Sequence, residues 1–245
     1  EMDLWLGAAA NPSLTDEGVQ LQAGDKQSNV DLLLAALGRR PNIDQLNLAE
    51  VGVPLDKRGL PLFDPATMQI GNLPVFIAGD ANASRPLMHE AVTEGAIAGY
   101  NAAHGLQVRF KRTVSLGIAF SDPDIVTVGT RFSELDQDRI VIGMASGESN
   151  GRARILGAEQ SLLRIYADAR DGRLLGAAMV ATGGEHLAHL LAWAIQRGET
   201  AQSLLELPFY HPVIEEMLQT ALQDLARHFA DPSGLPPGLV MEVSQ

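Results

Sequence analysis

Ser161-Leu162-Leu163-Arg164-Ile165-Tyr166-Ala167, the turn signal Asp171-Gly172, and the run 174–181 read as two strands joined by a hairpin. Both apolar runs have strand length, and an Asp-Gly pair supplies the positive φ that tight hairpins require. Working outward, 116–120, 125–129 and 139–144 share this texture, with Asp122-Pro123-Asp124 as the turn between the first two. Together they predict an antiparallel sheet. Three helical stretches follow, at 184–196, 200–205 and 212–229. The last carries Ile214, Met217, Leu218, Ala221, Leu222, Leu225 and Phe229 as a one-sided stripe at helical spacing. A sheet covered on one face by helices is an α+β domain.

Before residue 113 the texture differs. A turn-rich stretch (11–18) and a polar one (20–29) lead to the apolar run 30–37, which reads as a buried strand ending at Gly38. Arg39-Arg40-Pro41-Asn42 is a connection at which a domain changes. A short amphipathic piece (46–53), the turn Asp56-Lys57-Arg58-Gly59 and a second buried run (73–78) closed by Gly79-Asp80 come next. After a loop, the Ala-rich 87–103 reads as a helix, and strand, loop, helix is an α/β signature. The fold class is therefore α/β plus α+β. The tail after Asp231, with Pro232, Pro236 and Pro237, reads as a loosely packed arm.

With 46% hydrophobic residues, 245 residues suffice for one large or two ordinary cores. Thirty acidic residues against 18 basic give a net charge of −12, which argues against nucleic-acid backbones and anionic lipid as partners. No apolar run approaches the ~20 residues of a helical span, and no basic-then-apolar leader opens the chain, so a cytoplasmic protein is expected. The first residue is Glu1, which suggests that the numbering starts inside a longer reading frame. Cysteine is absent. No disulfide, thiol nucleophile or Cys-ligated metal belongs to this polypeptide.

Two stretches carry candidate chemistry. At the carboxyl end of the second buried run, Gly79 would permit close approach and Asp80 could accept hydrogen bonds from sugar or polyol hydroxyls. The helix starting near Met88 would aim free N–H groups at electron-rich ligand atoms. Gly-Asp also suits a plain strand-ending turn. In Tyr210-His211-Pro212-Val213-Ile214-Glu215-Glu216, Pro212 fits the first turn of a helix and leaves His211 projecting. Glu216 could bend back to the imidazole, fix its tautomer and equip it as an acid/base. The same spacing also suits a helix start with an exposed histidine and a solvated acidic pair. His186 and His189 form an H-x-x-H pair without a complete ligand set, so no metal site is expected. No two glycines are separated by one residue, which excludes G-x-G-x-x-G.

Taken in order, these segments resemble the carboxy-terminal half of the FAD-dependent pyridine nucleotide–disulfide oxidoreductases, and most closely the dihydrolipoyl dehydrogenases. The resemblance rests on Gly38-Arg39-Arg40-Pro41-Asn42, on Val51-Gly52-Val53 with Gly59, on Phe76-Ile77-Ala78-Gly79-Asp80, on Ser121-Asp122-Pro123-Asp124 with Val128-Gly129, on Gly151-Arg152-Ala153-Arg154, and on His211-Pro212 with Glu216. It implies a remnant of an NAD(P)-binding domain over 1–38, the second segment of an FAD domain over 39–110, an interface domain over 113–230 and a tail over 231–245. It further implies that Asp80 holds the FAD ribitol beside Gly79, and that Leu87, Met88 and His89 line the isoalloxazine near its pyrimidine edge. His211 would be the acid/base serving the flavin site of the other subunit of a homodimer, with Glu216 orienting it. NAD or NADP would be the co-substrate, and lipoyl domains of a 2-oxo acid dehydrogenase complex would be partners. The redox cysteine pair and the first flavin turn would precede Glu1, leaving this chain inactive by itself. Val213 stands where dihydrolipoyl and glutathione reductases usually carry Thr, which leaves the substrate open; a non-catalytic dimerisation or binding module, and the C-terminal part of a related member such as a glutathione reductase, are the alternatives. The absence of a terminal Cys pair disfavours a mercuric reductase.

Overall fold

The computed structural model describes residues 3–16, 18–105, 107–229 and 234–242. Asp231 and Pro232, where the tail is expected to begin, lie outside them.

Strands β1 (Ala10–Thr15), β2 (Gly18–Ala23) and β3 (Lys26–Val30) form an antiparallel meander in the order β1-β2-β3. This sheet falls where turns and a polar segment are expected, because its alternation is carried by few apolar residues, Val19, Leu21 and Ala23, among Gln and Asn. The buried strand expected at 30–37 is not found. Only Val30 belongs to a strand, where it pairs with Val19; Leu32, Leu34 and Leu37 are exposed, and no described strand pairs with 31–37. An all-apolar strand is stable only between neighbours that cover both faces. The run expected at 73–78 is likewise no regular strand. Phe76 makes a single bridge to Gln69, and Ile70 N–H and Ile77 N–H donate to Val75 and Met68 carbonyls. The piece expected at 46–53 is a succession of turns. Helix α1 (Met88–His104) forms as expected and ends on Gly105 in the left-handed region.

The second half matches the alternating pattern closely. Strands β4 (Leu116–Ala119), β5 (Asp124–Gly129), β6 (Ile140–Ser146), β7 (Leu162–Asp168) and β8 (Leu174–Ala181) build one antiparallel sheet in the order β4-β5-β8-β7-β6. A short helix α2 (Gly151–Leu156), which the sequence reading lacks, links β6 to β7. Side chains alternate between faces, so Val126, Met179, Leu163 and Ile165 point into one buried layer. Helices α3 (Gly184–Arg197), α4 (Ala201–Leu205) and α5 (Glu216–Ala226) close that layer; α3 packs on β5 and β8, and α5 on β6 and β7. The expected stripe is the buried face of α5, with Met217, Leu218, Ala221, Leu222 and Leu225 inside. Its start differs from expectation. The helix begins at Glu216, four residues after Pro212, because the Val213 N–H donates to the Glu216 carboxylate and closes the residues before it into a bend. On the opposite face of the sheet, Ile125 and Leu162 both flank Val180 in one cross-strand row, all three partly exposed.

Candidate functional site

Residues 79–82 form a 3-10 turn directly before α1. Gly79 has φ of 68°, and a Cβ there would lie 3.2 Å from the Ala91 Cβ. Gly79→Ala is expected to destabilise the chain by about 1–2 kcal/mol, the penalty of a left-handed L-residue, since Ala91 leaves little room to relax. Urea denaturation measures this, and a loss below about 0.3 kcal/mol would show that the turn tolerates a side chain.

Asp80 is half-exposed and pairs with Arg39, whose Nη1 lies 2.7 Å from Oδ2; Arg39 Nη2 also donates to the Pro86 carbonyl. A cavity of about 460 Å³ opens beside them, lined by Arg39, Pro41, Asn42, Asp80 and Pro86 among others. Leu87 is extended with no side-chain cap, and Ala91 N–H makes the first bond back to its carbonyl. The N–H groups of Met88, His89 and Glu90 therefore have no partner within the helix. Met88 and His89 are exposed. Of the residues expected at a flavin, Asp80 lines this cavity, whereas Gly79 is buried against Ala91 and residues 87–89 do not line it; a carboxylate there, beside the Arg39 guanidinium, suits the hydroxyls of a polyol chain.

Beneath the turn lies a charged cluster that the sequence reading overlooks. Glu90 and Glu94 are buried, and Arg112 Nη2 lies 2.5 Å from Glu90 Oε2 and 2.9 Å from Glu94 Oε1. Arg85 Nη1 reaches Glu90 Oε1 at 3.0 Å. Burial pushes the Glu90 carboxyl up, but hydrogen bonds and charge from Arg112 and Arg85 outweigh it and hold the group below its ordinary value. Their spacing of four along α1 is the one sequence signal that could have found this pair.

The second site sits in the segment between α4 and α5. His211 Nδ1 lies 2.8 Å from Glu216 Oε1, and Val213 N–H donates to Glu216 Oε2 at 3.0 Å. Buried Asn150 donates from Nδ2 to the Val213 carbonyl at 3.2 Å, pinning the turn from the start of α2. The carboxylate thereby favours a proton on Nδ1 and leaves Nε2 to act outward, on a side chain 76% exposed. The His211 hydrogen bond and, after burial that opposes it, the Val213 N–H lower the Glu216 carboxyl from its ordinary 4.5. A lowered carboxylate stabilises the fold fully above 4.5 and loses that contribution as pH falls through its folded value. Urea midpoints measured from pH 6 to 3 should therefore fall less steeply for Glu216→Gln than for the unaltered protein. Equal slopes would show that the pair contributes nothing.

His211 and Glu216 are thus brought together; of the other expected residues, Asp80 lines the cavity, while Gly79, Leu87, Met88 and His89 do not. The cavity beside Asp80 includes no residue of the His211 turn. His189 Nδ1 lies 2.6 Å from the Glu185 carbonyl, and its ring packs on Trp193; no cluster of three potential metal ligands forms among the described residues. The expectation that the chain has no G-x-S-x-G is wrong, since Gly147-Glu148-Ser149-Asn150-Gly151 matches that pattern. Ser149 Oγ donates to the Ser146 carbonyl at 3.0 Å and bonds to no histidine, so the base such an elbow needs is not beside it. No helix of the described residues is long and apolar enough to cross a membrane.

Residues 116–222 match the dimerisation domain of the pyridine nucleotide-disulphide oxidoreductases. Among curated proteins, dihydrolipoyl dehydrogenase 2 of Haloarcula marismortui is 31% identical over 222 residues, covering 87% of this chain and 46% of that protein. The dihydrolipoyl dehydrogenase of Bacillus subtilis is 26% identical over 220 residues, covering 89% and 46%. The chain spans about half the length of these relatives. Among solved structures, LpdA from Mycobacterium tuberculosis superposes with a TM-score of 0.76 at 25% identity, over 89% of this chain and 48% of that one. The HOCl-induced flavoprotein disulfide reductase RclA from Escherichia coli shares the fold, with a TM-score of 0.74 at 20% identity over 88% of this chain and 50% of that one.

Proposed function

We propose, from the premise that residues 116–222 belong to the dimerisation domains of the pyridine nucleotide-disulphide oxidoreductases, that this chain is the C-terminal portion of an FAD-dependent dihydrolipoyl dehydrogenase acting as a homodimer. The observation that carries the reading is the exposed His211 held at 2.8 Å by Glu216 on that domain. A base of this kind takes a proton from a dithiol, so that the resulting thiolate can attack a protein disulfide. The proton goes to Nε2, and the Glu216 carboxylate stabilises the imidazolium that forms. The substrate dithiol is that of a lipoyl group carried by a 2-oxo acid dehydrogenase complex, and the electrons leave to NAD or NADP.

The residues at the first site fit FAD. Asp80 would hold the ribitol, Gly79 would shape the turn that presents it, and Leu87, Met88 and His89 would border the pyrimidine edge. Bound flavin supplies the two-electron relay between dithiol and nicotinamide; this chain supplies the grip on it. With no cysteine among its 245 residues, the chain does not perform the disulfide step alone. By itself it is a dimerisation module that takes up FAD weakly or not at all. The exposed row of Ile125, Val180 and Leu162 supports pairing, since apolar sheet faces favour cover.

Light scattering on the 245-residue protein tests the assembly, and a dimer at micromolar concentration is expected. A strict monomer would count against the homodimer. A yellow preparation that oxidises dihydrolipoamide would refute the assignment of inactivity.

A further inference from the structure

Glu94 is fully buried, and a buried carboxylate is tolerated only where donors replace the water it loses. Its donors are the Gly79 N–H at 2.7 Å, Asn82 Nδ2 at 2.7 Å and Arg112 Nη2 at 2.9 Å. The first two are the first and last residues of the turn that carries Asp80 between them, so one carboxylate grips both ends of that turn. The third comes from outside the turn. Arg112 lies on the segment leading into β4, and it bridges Glu94 to Glu90 on the next turn of α1. The guanidinium keeps this place although its buried Nε has no hydrogen-bond partner among the described residues.

We propose that Glu94 is the positioning residue of the Asp80 turn, with Arg112, on the segment leading into β4, as the counter-charge. The direction in which Asp80 presents its carboxylate is then set by a buried ion cluster and not by the four residues of the turn alone. Charge-assisted bonds to backbone and amide donors are directional and about twice as strong as neutral ones, which suits them to hold both ends of a short turn. Only the statement that a flavin is what Asp80 faces rests on the function proposed above.

Hydrogen exchange read by NMR on the 245-residue protein tests this without any flavin. The Gly79 amide should be protected, because its partner is the Glu94 carboxylate. Glu94→Gln keeps the shape but places an NH2 group against donors, and should speed Gly79 exchange about 10- to 100-fold, the worth of a lost bond to a charged group. The amides of Ile97 and Asn101, farther along the same helix, should stay within about threefold, and the Asn82 side-chain amide resonances should move. Equal acceleration at Gly79 and Ile97 would overturn the proposal, since Glu94 would then support the helix as a whole. Should Glu94→Gln fail to fold, the unaltered protein still decides: a Gly79 amide exchanging at the free-peptide rate overturns it with no variant. FAD titration forms a separate arm. A protein with the Gly79 signature that takes up no FAD refutes the flavin site and leaves the role of Glu94 standing.

Discussion

If this chain is, as proposed, part of a dihydrolipoyl dehydrogenase, replacing His211 with Ala in that enzyme is expected to lower dihydrolipoamide turnover by about 10²- to 10⁴-fold, the usual worth of a positioned acid/base. The loss should fall on kcat more than on KM, because the imidazole moves a proton and does not grip the lipoyl chain. Glu216→Gln should cost less: an amide at that place still meets Nδ1, but it no longer selects the tautomer or stabilises the imidazolium. The exposed position of His211 on the dimerisation domain suggests that it serves the partner's disulfide. Mixed dimers settle that point. One subunit carries His211→Ala and the other lacks its redox cysteines, so transfer across the dimer leaves one complete site, whereas transfer within a subunit leaves none. Steady-state assays of the purified mixed dimer should retain about half the native rate. A loss of less than threefold in His211→Ala itself would remove this histidine from the mechanism.

The two sites differ in how far the sequence reveals them, and the difference has a physical origin. The hairpin of β7 and β8 is legible because its burial follows from its own alternation and a local turn. His211 and Glu216 are legible for the same reason: five residues of chain separate two groups that meet through a local bend. The run 30–37 is not. Its apolarity states a demand for cover on both faces, while the partner strands that would meet the demand are a matter of tertiary context. The grip of Arg39 on Asp80 spans 41 residues, and that of Arg112 on Glu94 spans 18; pairings of that reach leave no periodicity to read. Pro212 misleads in the opposite direction. A proline before an apolar stripe resembles a helix start, yet here it lies within the bend that the Glu216 carboxylate holds to His211 and Val213, and the helix starts only at Glu216.

Because α5 both opens with Glu216 and packs on β6, the position where strand and helix come closest controls the site as well as the core. That position is Gly143. A Cβ built there would lie 2.7 Å from the Leu225 Cβ and 2.9 Å from its backbone N, and closer still to the Ala221 carbonyl oxygen. Backbone atoms cannot rotate out of the way as a side chain can, so relief requires β6 or α5 to move. Moving β6 breaks its ladder with β7, where Gly143 faces the fully buried Ile165. Moving α5 lifts Met217, Leu222 and Leu225 from the core. Gly143→Ala is therefore expected to destabilise the protein by about 3 kcal/mol, at the upper end for one added methyl group, even after the roughly 0.4–1 kcal/mol that an alanine recovers by stiffening the unfolded chain. Gly151→Ala is the matched control, since nothing lies within 4 Å of its Cβ; it should leave stability within about 1 kcal/mol of the unaltered value. Urea denaturation of both variants decides. A Gly143→Ala loss below about 0.5 kcal/mol would mean that helix and sheet are not held at this distance by the core, and the His211–Glu216 pair would then need some other anchor than the seat of α5.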